Sequence, residues 1–239
     1  MAKQTIPAPA QLLAELFRED NARNTRRFYP DLEELIQDIA AAYRTVIADL
    51  YAAGCRNLQL DDCTWGMFCD KTYWEARQKE NVSVDEEAER YLRLNNLALA
   101  GAPEDLVITT HVCRGNYHSA WASSGGYEPI GKYLFSSEHV SAFYLEFDDE
   151  RSGGFEPLRF VSDDKKVVLG LITTKSPVLE DKAQVIARIH EAARYVPLDR
   201  LYLSPQCGFA SCEIGNRLTE EDQWAKLALV KEIAEEVWG

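Results

Sequence analysis

Four side chains of metal-binding type fall at the ends of three apolar runs. His111 and Cys113 close Leu106-Val-Ile-Thr-Thr-His-Val-Cys113, Glu146 closes Phe143-Tyr-Leu-Glu146, and Cys207 follows Leu201-Tyr-Leu-Ser-Pro-Gln-Cys207. Each run predicts a β-strand, and helical stretches separate them. A parallel βα array would carry all four groups at the C-terminal ends of its strands, where such folds place their chemistry. Side chains two apart on a strand point the same way, so His111 and Cys113 can share one ion. Two thiolates, an imidazole and a carboxylate make a zinc shell. Each group alone has an ordinary reading, as a packed His or Cys or a solvated Glu; four at successive strand ends favour the metal.

The elements that must position them run the length of the chain. A short strand at Gln4-Thr-Ile6 stops at Pro7, and an irregular stretch holding Phe28-Tyr-Pro30 follows. The spacing of Leu32, Leu35, Ile36, Ile39, Ala40, Tyr43 and Ile47 predicts a helix that Gly54 ends. Next come a strand at Arg56–Asp61, a loop rich in Trp65, Met67, Phe68 and Trp74, and a helix near 84–100. Beyond strand Leu106–Cys113, the sequence predicts a helix near 128–135, strands at 142–146 and 166–173, a helix near 180–195, a strand at 200–203 and a closing helix near 219–238. Thr219-Glu-Glu-Asp222 signals the N-cap of the last. The count is six strands, each followed by a helix, in one domain over 1–239. Periodicity leaves open whether this is an open α/β sheet or a (β/α)₈ barrel lacking two units.

Composition narrows the partners. The 239 residues, 46% hydrophobic, suffice for one large core, and the net charge of −13 argues against nucleic acid and anionic membranes. Neither a membrane span nor the apolar segment of a secretory signal is evident, which predicts a cytoplasmic protein. Six cysteines without a C-x-x-C pair read as reduced thiols or ligands.

The ordered motifs His111-Val-Cys113-Arg-Gly-Asn116, Leu145-Glu146-Phe-Asp148, Gly170-Leu-Ile-Thr-Thr-Lys-Ser-Pro177 and Leu203-Ser-Pro-Gln-Cys-Gly-Phe209 resemble the C-terminal catalytic domain of cobalamin-independent methionine synthase, in its short single-barrel bacterial branch. The resemblance implies a TIM-type (β/α)₈ barrel, incomplete here with about six βα units. It also implies Zn²⁺ held by His111, Cys113, Glu146 and Cys207, and transfer of a methyl group from 5-methyltetrahydrofolate to the thiol of homocysteine, giving methionine. That is the activity of a 5-methyltetrahydropteroyltriglutamate-homocysteine S-methyltransferase. By the same mapping, Asp61 in Gln59-Leu-Asp-Asp62 holds the homocysteine amino group.

The chemistry asks for these groups. A free thiol, with a pKa near ~8.5, is only slightly ionised at neutral pH, whereas a metal-bound thiol is deprotonated. The folate nitrogen must gain a proton to leave, and Asp148, Lys175 or a water held by Asp61 or Asp62 could provide it. Trp65 and Trp121 are candidates to stack on a pterin.

The chain departs from the family pattern in two respects. Two opening βα units, with a Gly-Ser turn and an Asp-Gly-Glu segment, have no counterpart, and Lys175 stands where larger enzymes have a catalytic His. Self-association or a complementing N-terminal chain would account for the first. Two alternatives stay open: a methyltransferase using methylcobalamin or a coenzyme M type thiol, and a non-catalytic zinc-binding remnant.

Overall fold

The computed structural model describes residues 2–79 and 82–239. Six strands form one sheet: β1 (Gln4–Pro7), β2 (Asn57–Asp62), β3 (Val107–Val112), β4 (Ala142–Glu146), β5 (Lys166–Ile172) and β6 (Leu201–Pro205). Every neighbouring pair is parallel, and the spatial order is the chain order, β1 through β6. A doubly wound sheet reverses its order at a switch point, and a barrel does not. The monotonic order therefore identifies the sheet as six consecutive staves of a (β/α)-barrel, left open: among the described residues β1 pairs with β2 alone and β6 with β5 alone.

Nine α-helices accompany the sheet among the described residues: α1 (Pro9–Leu16), α2 (Asn21–Phe28), α3 (Leu32–Ala52), α4 (Cys63–Phe68), α5 (Lys71–Lys79), α6 (Val84–Leu99), α7 (Glu128–Ser137), α8 (Lys182–Ala192) and α9 (Glu220–Trp238). Local chemistry starts the longer ones. Asp31, Ser83 and Asp181 accept backbone N–H bonds at the N-caps of α3, α6 and α8, and Thr219 with Asp222 forms a reciprocal capping box on α9. The apolar stripe of α3, through Leu35, Ile36, Ile39, Ala40 and Ile47, is buried as its spacing requires. Strands β3, β4 and β5 are buried on both faces, which is why they read as continuous apolar runs.

Two stretches differ from the sequence reading. The segment after β1 contains α1 and α2, and α1 opens with Pro9 at a helix start, where its missing N–H costs nothing. The aromatic stretch after β2 is two helices rather than a loop. Asp62 caps α4 by accepting from Thr64 N at 3.0 Å, but the six-residue element is too short to display a period. Among the described residues no helix is long and apolar enough to cross a membrane.

Candidate metal centre

Parallel pairing brings the strand ends into line. Asp61 of β2 lies in register with His111 of β3, and His111 with Tyr144 of β4, two residues before Glu146. Cys113 follows β3 directly, and Cys207 follows β6 by two residues. One ligand atom from each of His111, Cys113, Glu146 and Cys207 falls within 4.8 Å of all the others. The expected quartet thus converges.

Its geometry suits a cation. His111 Nδ1 lies 3.3 Å from the carbonyl of Tyr144, a bond that fixes the proton on Nδ1. In the neutral ring, the form that binds a metal, the lone pair then belongs to Nε2, which is buried without a hydrogen-bond partner and sits 3.8 Å from Glu146 Oε1 and 3.9 Å from Asp61 Oδ1. A ring nitrogen with its tautomer set from behind and its free lone pair facing carboxylates and thiols is the arrangement metal-ligating histidines adopt. The cluster balances itself: a hydrogen bond from Cys113 and the charge of the neighbouring His111 ring hold the Cys207 thiol well below its usual range. Burial opposes a charge on His111, yet Cys207, Asp61 and Glu146 together raise its pKa to about 9.

Glu146 is held on every side. Its Oε1 accepts from Arg114 N at 2.9 Å and its Oε2 from Arg151 Nη2 at 3.1 Å. The Tyr127 hydroxyl takes the Glu146 N–H at 2.9 Å and donates to the Glu146 carbonyl at 3.1 Å. Lys175 Nζ lies 4.0 Å from Oε2 and is buried without a hydrogen-bond partner. Burial pushes the Glu146 carboxyl up; His111, Lys175 and the Arg114 N–H work to keep it ionised.

The Cys207 turn is tied to the rest of the centre through amides. Asn116 Nδ2 donates to Gly208 O at 2.6 Å and to Ser211 Oγ at 2.9 Å, and Gln206 Oε1 accepts from Thr174 N at 2.8 Å. At Gly170 a Cβ would lie 2.7 Å from Gln206 Cα, so this turn packs against β5 only because the side chain is absent. Asn116→Ala removes the tie to Gly208 and should weaken the affinity for a divalent metal about 10-fold or more, in the range found for groups that orient ligands. Competition against a chromophoric chelator measures it, with unchanged far-UV circular dichroism as the control.

Gly66 performs a similar service on the other side. A Cβ there would come within 2.3 Å of Cys113 O, a backbone atom that can yield only by moving the ligand residue. Gly66→Ala is expected to cost about 2 kcal/mol in chemical denaturation, as overpacking does, and to lower metal affinity in the same variant.

Several sequence expectations need correction. Trp65 is 0% exposed and packs on Phe68, with ring centroids 5.8 Å apart, so it cannot stack on a ligand. Asp62 is equally buried: it caps α4 and accepts from Asn95 Nδ2 at 3.0 Å, on the helix side of the sheet, turned away from the centre. The alternating burial of β2 puts Asp61 and Asp62 on opposite faces, and Asp61 alone looks toward the centre. The Asp148 side chain is buried and paired with Arg151 Nη2 at 3.0 Å, which makes it a holder of the arginine that grips Glu146. His118 lies 3.1 Å through Nδ1 from Gly215 O, linking the loops that follow β3 and β6.

The sequence reading overlooked Arg151, Tyr127 and Cys63. Arg151 stood in a glycine-rich loop and Tyr127 just before a helix, with no local signal of their partners. Cys63 opens α4 with nothing in its surroundings to mark it as a ligand, yet its thiol stands with Asp61 and Cys113 in a second group of ligand atoms within 4.8 Å of one another. All six cysteines are free.

The family profile described as the catalytic domain of cobalamin-independent synthase matches residues 24–236. The chain belongs to the cobalamin-independent methionine synthase family. Its relatives within that family include YxjH of Bacillus subtilis, a protein without an assigned activity, at 46% identity over 99% of this chain and 61% of the relative. The 5-methyltetrahydropteroyltriglutamate–homocysteine methyltransferase of Cronobacter sakazakii is 26% identical over 86% of this chain and 24% of its own. Among solved structures, a proposed vitamin-B12-independent methionine synthase of Listeria monocytogenes superposes with a TM-score of 0.77 at 39% identity, over all of this chain and 64% of that one. The chain spans about three-fifths of the length of the Bacillus relatives it matches.

Proposed function

We propose that this chain carries the metal centre of a zinc-dependent methyltransferase that moves a methyl group from 5-methyltetrahydrofolate, or a related donor, to the thiol of homocysteine. The observation that carries the reading is the convergence of His111, Cys113, Glu146 and Cys207, with His111 Nε2 buried and unpartnered among them. Zinc held by these four would supply the acceptor sulfur as a thiolate at neutral pH.

The chain's own residues do the rest. Asp61, half-exposed beside His111, faces the space an amino-acid acceptor would occupy and offers a carboxylate to its ammonium group. Arg151 and the Arg114 N–H hold Glu146 oriented, and Asp148 holds Arg151. Lys175 brings a proton-bearing side chain to the edge of the cluster and is our candidate for protonating the leaving nitrogen. Trp121, half-exposed with the Arg151 guanidinium 5.8 Å from its ring, takes the place of Trp65 as the aromatic surface for a pterin.

The test is methionine formation from methyltetrahydrofolate and homocysteine. It is run with zinc, with and without the remaining segment of the B. subtilis relative supplied as a separate polypeptide to cover the free edges of β1 and β6. Product that disappears in Cys113→Ser supports the proposal. Transfer from methylcobalamin but not from methyltetrahydrofolate would replace the donor, and zinc binding without turnover under any condition would make the centre a remnant.

A further inference from the structure

We propose that this centre has room for a second soft divalent cation, held by Asp61, Cys63 and Cys113, with the Cys113 thiolate bridging the two ions. The inference rests on the four-ligand zinc reading above and adds to it a position that reading does not use. Three ligand atoms, one from each residue, lie within 4.8 Å of one another, and Cys113 belongs to this trio and to the quartet alike. A thiolate can bridge two ions, and two-metal sites place their ions about 3.5–4 Å apart, a span that neighbouring groups of this size accommodate.

A second observation joins the two groups. His111 Nε2, on a side chain 8% exposed and without a hydrogen-bond partner, stands between Glu146 Oε1 at 3.8 Å and Asp61 Oδ1 at 3.9 Å. Asp61 therefore lies against the quartet. The backbone fixes Cys63 close by: it begins α4, whose approach to the Cys113 carbonyl is set by Gly66, and Cys113 N donates to Asp62 O at 3.3 Å.

Charge and ligand type point the same way. Two thiolates and one carboxylate against one Zn²⁺ leave the quartet with a net charge of about −1. Adding the Asp61 carboxylate and the Cys63 thiolate together with a second Zn²⁺ leaves that sum unchanged, so the second ion meets no repulsion that its own ligands do not cancel. Two sulfurs and one oxygen suit zinc or a softer ion and disfavour magnesium or calcium, which want oxygen alone. With three protein ligands this is the weaker position, filled only after the first. Filling it takes Asp61 away from an acceptor's amino group.

The experiment is a zinc titration of the full chain, stripped of metal under reducing conditions, against a chromophoric chelator that resolves tight from weaker binding. Wild type should take up about two equivalents, the second more weakly. Cys63→Ala and Asp61→Asn should each weaken the second equivalent about 100-fold and leave the first within about 3-fold, whereas Cys113→Ser should lose both. Cys63→Ser, nearly the shape of the native side chain, and a thermal melt of each variant separate loss of a ligand from loss of fold. A single equivalent in wild type, or a second that Cys63→Ala and Asp61→Asn leave untouched, overturns the second position alone. No zinc uptake by wild type overturns the quartet reading with it.

Discussion

Cys113→Ser should strip the protein of tightly bound zinc. Cys113 is 6% exposed and its sulfur is one of four ligand atoms within 4.8 Å of each other. A serine hydroxyl stays protonated at neutral pH and is a poor donor to zinc, so the variant keeps three ligands, one of them a carboxylate shared with Arg151. Apparent zinc-site energies of ~10–16 kcal/mol are spread over about four ligands. Loss of one thiolate should weaken binding by roughly 100- to 1000-fold. Wild type should emerge from gel filtration with about one zinc per chain, since a weaker second ion would wash out, and the variant with almost none. The fold should survive, because Cys113 lies outside the main apolar cluster and its N–H bond to Asp62 O does not involve the side chain. Cys212→Ser is the matched control: Cys212 belongs to neither group of clustered ligands, and its loss should leave zinc content unchanged. Full, tight zinc occupancy in Cys113→Ser would end the case for the quartet.

That quartet was legible in the sequence for a physical reason. Parallel strands buried on both faces must be apolar throughout, so a His-x-Cys pair or a Glu closing such a run marks a strand end. In a barrel the strand ends share one rim. The caps were legible too, since Thr219 and Asp222 satisfy each other within four residues. What escaped is non-local or turned over by one residue. Asp61 and Asp62 look alike as letters, and only the alternation of β2 separates the one that faces the centre from the one that caps α4. Cys63 was not singled out as a ligand because α4 is too short for periodicity, and Trp65, in that same helix, is a core residue where an aromatic loop was expected. Arg114, Tyr127 and Arg151 converge on Glu146 from segments whose spacing carries no trace of their meeting.

A second expected result concerns stability, through polar groups whose spacing in the chain carries no sign of their meeting. Asn95, buried in α6, donates from Nδ2 to both Asp62 Oδ2 at 3.0 Å and Glu138 Oε1 at 2.8 Å, and accepts from Ala10 N at 2.9 Å. Two carboxyl groups thus share one amide in an interior without water-facing surface. Burial first, then the nearby Asp62 charge, pushes the Glu138 pKa up to about 8 from 4.5. The sign follows from linkage. Folded protein binds a proton at Glu138 that unfolded protein has already released between those two values. The stability associated with this group is therefore fully present below about pH 4.5, and it falls as pH rises until it is lost above about 8. At about 1.4 kcal/mol per pKa unit the ceiling is roughly 5 kcal/mol, and local relaxation should reduce it to about 2–4. Other groups titrate in the same window, His111 and Cys207 among them, so the wild-type curve alone does not isolate the effect. Glu138→Gln does. The amide keeps the oxygen that accepts from Asn95, places a donor where Glu138 Oε2 now has no partner, and cannot ionise. Urea denaturation of both proteins from pH 5 to 9 should show the variant gaining on wild type by several kcal/mol as pH rises, with every shared titration cancelling in the difference. A difference that stays flat across that range would mean that Glu138 is ionised in the folded protein at neutral pH, and that Asn95 bridges two carboxylate charges rather than a carboxylate and an acid.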